Sequence, residues 1–203
     1  MRTQAFVWHR LCVAMLACVL AASAMAASPV RAQGESPSDS PGARAHQGCH
    51  DFAWDVRRER TLFAGQAHSV QGGTSAAATP TVRADRLYEV QLAPQPQVKY
   101  VTTPGKVMLS DGAYGGMVKF TVARSGSYRV SLDAPFWIDV VADGKLLGTQ
   151  DFSGQRGCAN PRKIVIFQMP AGQPLWLQIS GARRAQAQFT LTAAPRNQAP
   201  AAH

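Results

Sequence analysis

Histidine is scarce in this chain: five in 203 residues, of which only His46, His50, His68 and His203 lie beyond the leading apolar run. None falls in a segment that reads as strand, and no His-x-His pair occurs. A metal oxygenase on a β double layer needs histidines and a carboxylate converging from strands, so the sequence argues against that chemistry. No metal site and no cofactor are expected. A Ser–His–Asp hydrolase is equally unsupported. Ser153-Gly154 belongs to no nucleophile elbow, and His68 beside Ser69 reads as an exposed loop residue. Cysteine is scarce as well. Cys12 and Cys18 sit in the apolar leader, which leaves Cys49 and Cys158 with no CxxC spacing for zinc. Charged residues make up only 16% of the chain, and the basic ones come as singles and pairs such as Arg57-Arg58, Arg162-Lys163 and Arg183-Arg184. Without a basic stripe interleaved with aromatics, nucleic acid is not an expected partner. No βαβ alternation is present, which excludes a nucleotide-binding α/β fold, and no repeat of solenoid type occurs.

The one long apolar run, residues 11–27, stands at the N-terminus behind Arg2 and Arg10. Ala24-Met25-Ala26 fits the small-x-small exit of a signal peptidase site, and Val30-Arg31-Ala32 is a second candidate. A basic start, an apolar core and a small-residue exit predict a secretory signal over residues 1–32, cut after Ala26 or Ala32. The run is marginally short for a membrane span, so no transmembrane segment is expected after cleavage. Lipidation at Cys18 is disfavoured because apolar residues continue past it. The expected location is periplasmic or extracellular. In that oxidising setting the remaining pair, Cys49 and Cys158, reads as one disulfide. All 12 acidic residues but only 18 of the 21 basic ones follow Gln33, so the exported chain carries a net charge of about +6. That suits both anionic surfaces and plain solubility.

Residues 33–47 hold no large apolar side chain and read as a disordered linker, and 194–203 as a disordered tail. The segment between, 48–193, has the size of one domain. Cys49, Phe52, Ala53, Val56 and Phe63 fall near one face at helical spacing, which predicts an amphipathic helix over 49–64 with Gly65 as its stop. Residues 66–80 are rich in Gly, Ser, Thr and Ala and read as loop. Beyond them the period becomes two. Tyr88, Val90 and Leu92 alternate with polar residues, as do Val118, Phe120 and Val122, then Tyr128, Val130 and Leu132. Phe136, Ile138 and Val140 follow, and Asp143-Gly144 marks a hairpin. Ile164 and Ile166, then Leu175, Leu177 and Ile179, then Phe189 and Leu191 complete the set. Many short strands with close turns predict a mostly β fold: a single β-sandwich or jelly-roll domain with one N-terminal amphipathic helix.

Alternation sends Phe136, Ile138 and Val140 one way and Trp137 and Asp139 the other; likewise Leu175, Leu177 and Ile179 against Trp176 and Gln178. A flat indole beside a carboxylate or amide is the composition of a sugar-stacking platform. Trp137, Asp139, Trp176 and Gln178 are therefore the candidate ligand contacts. Burial of both rings beneath the 49–64 helix is the competing reading. Asp133, Asp139 and Asp143 are close in sequence. A pair of carboxylates such as Asp133 and Asp139 would suit a glycoside hydrolase if set across one cleft. Asp143 belongs to a turn and Asp133 to a strand end, where aspartate is ordinary, and no Asp-x-Asp-x-Asp-Gly calcium loop is present.

Three functional readings remain. The first is a non-catalytic module whose partner is a carbohydrate or envelope polymer. The second is an envelope protein that docks a protein partner through a sheet edge or the helix. The third is a carboxylate hydrolase.

The stretch 118–192 resembles the pre-peptidase C-terminal type of β-sandwich module on secreted bacterial proteins. Val118-Lys119-Phe120-Thr121-Val122, Gly126-Ser127-Tyr128-Arg129-Val130-Ser131-Leu132, Trp137-Ile138-Asp139-Val140 with Asp143-Gly144-Lys145-Leu146, Ala171-Gly172 and Phe189-Thr190-Leu191-Thr192 carry the resemblance. It covers somewhat over a third of the chain and implies a non-catalytic accessory role in binding or export. No protease domain is attached in this sequence. The chain is also similar to secreted proteobacterial proteins of uncharacterised function, through its Cys49, the Asp51-x-x-Trp54 opening and the core Leu132-Asp133-Ala134-Pro135-Phe136-Trp137-Ile138-Asp139. That likeness implies no activity.

Overall fold

Two-residue periodicity folds into two packed sheets. The computed structural model describes Cys49, residues 52–106 and residues 112–195; the expected signal peptide, the linker and residues 196–203 of the tail lie outside the described residues. One sheet has six strands: β1 (His68–Gln71), β2 (Leu87–Gln91), β11 (Gln186–Ala193), β5 (Gly126–Leu132), β9 (Lys163–Met169) and β8 (Thr149–Gly154), in that spatial order. The other has five: β3 (Ala93–Pro94), β4 (Tyr114–Phe120), β10 (Leu175–Ala182), β6 (Trp137–Ala142) and β7 (Lys145–Leu146). Neighbours are antiparallel apart from β1 and β2. The mostly β sandwich with one helix is thus the fold of the domain.

The core lies between the sheets. Val130 and Leu132 of β5, Ile138 and Val140 of β6, Leu177 and Ile179 of β10, and Phe189 and Leu191 of β11 meet there. Each such side chain contributes about 1.5–3 kcal/mol by leaving water. The hairpin at Asp143-Gly144 forms as its residues require, with φ of 48° and 70° at the two positions.

A second, smaller core lies outside the six-stranded sheet. Ile164 and Ile166 of β9 point away from the main core and meet Phe52, Trp54, Val56 and the Cys49–Cys158 disulfide. Strand β9 is apolar on both faces because both are covered.

The covering segment corrects the helix expected over 49–64. Residues 52–56 are not helical, and the helix, α1, spans Arg57–Phe63. Phe52, Trp54 and Val56 instead enter the second core at a spacing of two. Asp55 marks the change: its carboxylate accepts the Arg57 backbone N–H at 2.9 Å and the Arg57 guanidinium at 2.6 Å, which holds its pKa down at about 2.

His68 is also corrected. It lies on strand β1 rather than in a loop, 5.8 Å from the Tyr88 ring. That strand pairs in parallel at the sheet edge with its residues largely exposed, so it shows no apolar alternation. The same cause hides β8, whose sequence Thr-Gln-Asp-Phe-Ser-Gly is mostly polar at the other edge.

Candidate functional site

Alternation along β6 and β10 places Trp137, Asp139, Trp176 and Gln178 on the face of the five-stranded sheet that looks away from the core. Register arranges that face in rows. Trp137 lies opposite Ser180, Asp139 opposite Gln178, and Val141 opposite Trp176. On the other flank of β10, Gln178 meets Met117 and Trp176 meets Lys119.

The middle row is covered, and α1 is not what covers it: the helix packs against β11 of the other sheet. A strap formed by residues 99–106 crosses the row instead. Gln178 is fully buried and holds the strap in two directions. Its Oε1 accepts the Thr102 N–H at 3.1 Å, and its Nε2 donates to the Thr102 carbonyl at 3.0 Å. Asp139 Oδ2 accepts the Gly105 N–H at 3.0 Å. The Tyr100 hydroxyl donates to the Ile179 carbonyl at 2.8 Å, and the Thr102 hydroxyl to the Gly144 carbonyl at 2.7 Å. Burial, with the Asp139 charge adding, pushes the Tyr100 hydroxyl above its usual range. Each bond is worth about 1 kcal/mol net, so the strap is well held. Two glycines allow the close approach. A Cβ on Gly115 would strike the Tyr100 hydroxyl, and one on Gly105 would come within 2.9 Å of Asp139 Oδ1.

Trp137 remains half-buried at one end of the face. Its indole Nε1 donates to Asp139 Oδ2 at 3.0 Å, so one carboxylate oxygen fixes both the ring and the strap. Two ammonium groups lie against the ring: Lys163 Nζ at 5.3 Å from the centroid and Lys106 Nζ at 5.5 Å. Both are within cation–π range. Lys106 is exposed at the end of the strap, whereas Lys163 opens β9 on the other sheet and donates to the Phe136 carbonyl at 3.4 Å. The cluster therefore spans the two sheets at a corner of the sandwich. Among the described residues neither lysine makes a salt bridge. Burial lowers the Lys163 pKa, and the neighbouring Lys106 charge lowers it further, against an opposing pull from Asp139.

The four expected contacts thus do not form one open platform. Gln178 and Asp139 are tied to the strap. Trp176 is half-buried two rows from Trp137, with its indole Nε1 buried and lacking a hydrogen-bond partner among the described residues. The four-residue offset from Trp176 to Ser180 on β10 sets the backbone positions of the two tryptophans about 13 Å apart along the strand direction.

Asp133 and Asp139 are not brought together. Asp133 follows β5 and accepts the Gln188 N–H at 3.0 Å and Arg184 Nη2 at 3.1 Å. It borders a polar cavity of about 350 Å³ that Glu89 and Arg184 also line and Asp139 does not. Asp143 sits exposed in its turn. Burial raises the Asp133 pKa in spite of its donors. A carboxyl with a raised folded pKa favours folding while protonated and loses that contribution as pH rises through the carboxylate range. Stability of Asp133→Asn relative to the native chain is therefore expected to increase as pH goes from about 3 to about 6. Thermal melts across that range check it, and a constant or falling difference would contradict it.

Sequence reasoning passed over three residues. Lys106 and Lys163 are remote in sequence and meet only through the fold. Arg129, which alternation placed on an outer face, is a buried cation: its Nη1 lies 3.3 Å from both Glu59 oxygens and 2.9 Å from the Asp55 carbonyl. Trp54 stacks over it at 5.5 Å. Among the described residues no group of three His, Cys, Asp or Glu side chains could hold a metal ion, and no helix is long and apolar enough to cross a membrane. No protein-family model matches this chain, and no curated protein matches it in sequence.

Proposed function

We propose that this is an exported, non-catalytic binding module of the periplasm or cell exterior, and that it contacts a carbohydrate polymer at the Trp137 corner. One observation carries the reading. On a face whose middle row the strap covers, Trp137 stays half-buried, held at its N–H edge by Asp139 and flanked by two ammonium groups without carboxylate partners among the described residues. An indole whose orientation is fixed is a common anchor of binding energy. Asp139 and Gln178 act here as positioning residues, since their polar atoms serve the strap. Trp176 supplies a second, more distant ring, which suits a polymer better than a single sugar. The likeness to secreted accessory modules and the basic charge of the chain support the same reading.

Trp137→Ala is expected to weaken polysaccharide binding by about 2 kcal/mol, or about thirtyfold. Trp176→Ala should cost less. Titrations with soluble dextran and dextran sulfate, followed by intrinsic fluorescence, measure both, with circular dichroism confirming that the variants are folded. Native-like affinity in folded Trp137→Ala would remove this reading and favour a second one, docking of an envelope protein. That second reading has its own observation: Phe152 on edge strand β8 is 68% exposed and Leu146 on edge strand β7 is 37% exposed.

A further inference from the structure

The Trp137 ring is not offered as a bare stacking face. Two ammonium groups lie against it, at 5.3 and 5.5 Å from its centroid, so they are at most about 11 Å from each other. Like charges do not converge without cost, and the fold sets the backbone from which each of this pair reaches the ring. Lys163 is set by the start of β9 and by the Phe136 carbonyl. Lys106 directly follows Gly105, whose N–H is bonded to Asp139. Among the described residues the carboxylate beside them is Asp139, which already accepts the Trp137 and Gly105 N–H groups on the same oxygen at the edge of the ring and has 8% of its surface exposed. Burial also strips Lys163 of part of its hydration and lowers its pKa. An anion arriving from solvent would restore the lost stabilisation of that ammonium, and charge-assisted bonds from two lysines are the means to hold it.

We propose that the ligand at this corner is an acidic polysaccharide, whose sulfate, phosphate or carboxylate group is held between Lys106 and Lys163 while its sugar ring packs on the exposed part of Trp137. This rests on the reading of the Trp137 corner as a polymer contact and adds the chemical class of the polymer. A polysaccharide fits better than a nucleic acid, since the anion site is a single corner and not a basic stripe along the surface.

The experiment compares dextran with dextran sulfate, one glucan without and with the anionic group, on the full exported chain. Four proteins are titrated: native, Lys106→Gln/Lys163→Gln, Trp137→Ala, and the charge-matched control Arg86→Gln/Arg124→Gln, in which two exposed arginines are replaced. The native protein is expected to bind dextran sulfate and not dextran. The lysine pair variant should lose about tenfold or more in affinity, and its log–log salt slope should shrink by about two. The arginine control should change much less. Lys106→Gln alone, at an exposed position, should show part of the loss if the double variant folds poorly. Equal losses in the lysine and arginine variants would overturn the anion site as non-specific charge attraction. Binding of plain dextran that depends on Trp137 and not on the lysines would overturn it too, while leaving the polymer reading intact. Affinity unaffected by Trp137→Ala and by the lysine pair alike would overturn both.

Discussion

Glu59→Ala is expected to cost about 3–5 kcal/mol, among the largest effects of any single change in this domain. Glu59 and Arg129 are each 1% exposed. The carboxylate meets Arg129 Nη1 at 3.3 Å from both oxygens and accepts the Thr192 hydroxyl at 2.8 Å. Removing it takes a buried counter-charge from a guanidinium held inside the protein under Trp54, where water is excluded. The cost comes from the weaker neutralisation of that buried charge rather than from the attraction itself, because desolvation of both ions offsets much of their mutual gain. The double variant Glu59→Gln/Arg129→Met should therefore recover most of the loss, with the amide oxygen still available to Thr192. Urea denaturation of the two variants measures this. A single variant within about 1 kcal/mol of native would show that the cation finds water or another partner.

Loss of the Cys49–Cys158 disulfide is the second large effect. The bond closes a sequence separation of 109 residues. Chain-entropy estimates for a loop of that length give about 4.7 kcal/mol, and losses measured in small secreted domains run from about 2 to 5 kcal/mol. Its place in the structure adds a local consequence. The bond ties the start of the covering segment to the loop before β9, beside Phe52, Trp54, Ile164 and Ile166. Cys49→Ser, Cys158→Ser and the double variant should be destabilised alike, since each removes the same crosslink once. Amide exchange should rise first in residues 52–65. A melting temperature unchanged by reductant would contradict the account. Glu59 anchors the same segment, so Glu59→Ala combined with Cys49→Ser is not expected to be additive.

How far the sequence could be read follows from what alternation encodes. Period two tells which residues share a face, and in β5, β6, β10 and β11 the core faces are where Tyr128, Ile138, Leu177 and Phe189 implied. Alternation does not tell what covers the opposite face. Arg129 and Gln178 both read as solvent-facing, and both are buried, one under the segment around Trp54 and α1, the other under the strap. The strap shows no periodicity, and its anchors Asp139, Gln178 and Ile179 lie far along the chain. Edge strands β1 and β8 carry no apolar alternation because only one neighbour and little core demand apolar residues of them. The spacing implies a longer helix than forms because Phe52, Val56 and Phe63 fit a helical face as readily as they fit a strand-like entry followed by a short helix. Of the candidate site, the two indoles were legible. The lysines that give the Trp137 corner its charge were not, since nothing local links Lys106 to Lys163.

The most direct test of the Trp137 corner as the ligand contact is an NMR titration of the protein with dextran sulfate, following the indole N–H resonances of Trp54, Trp137 and Trp176. The Trp137 indole should shift most, with the backbone amides of Lys106 and Lys163 moving alongside it and the Trp54 indole, buried in the second core, staying still. Shifts centred on β8 or α1, with the Trp137 indole unmoved, would contradict it.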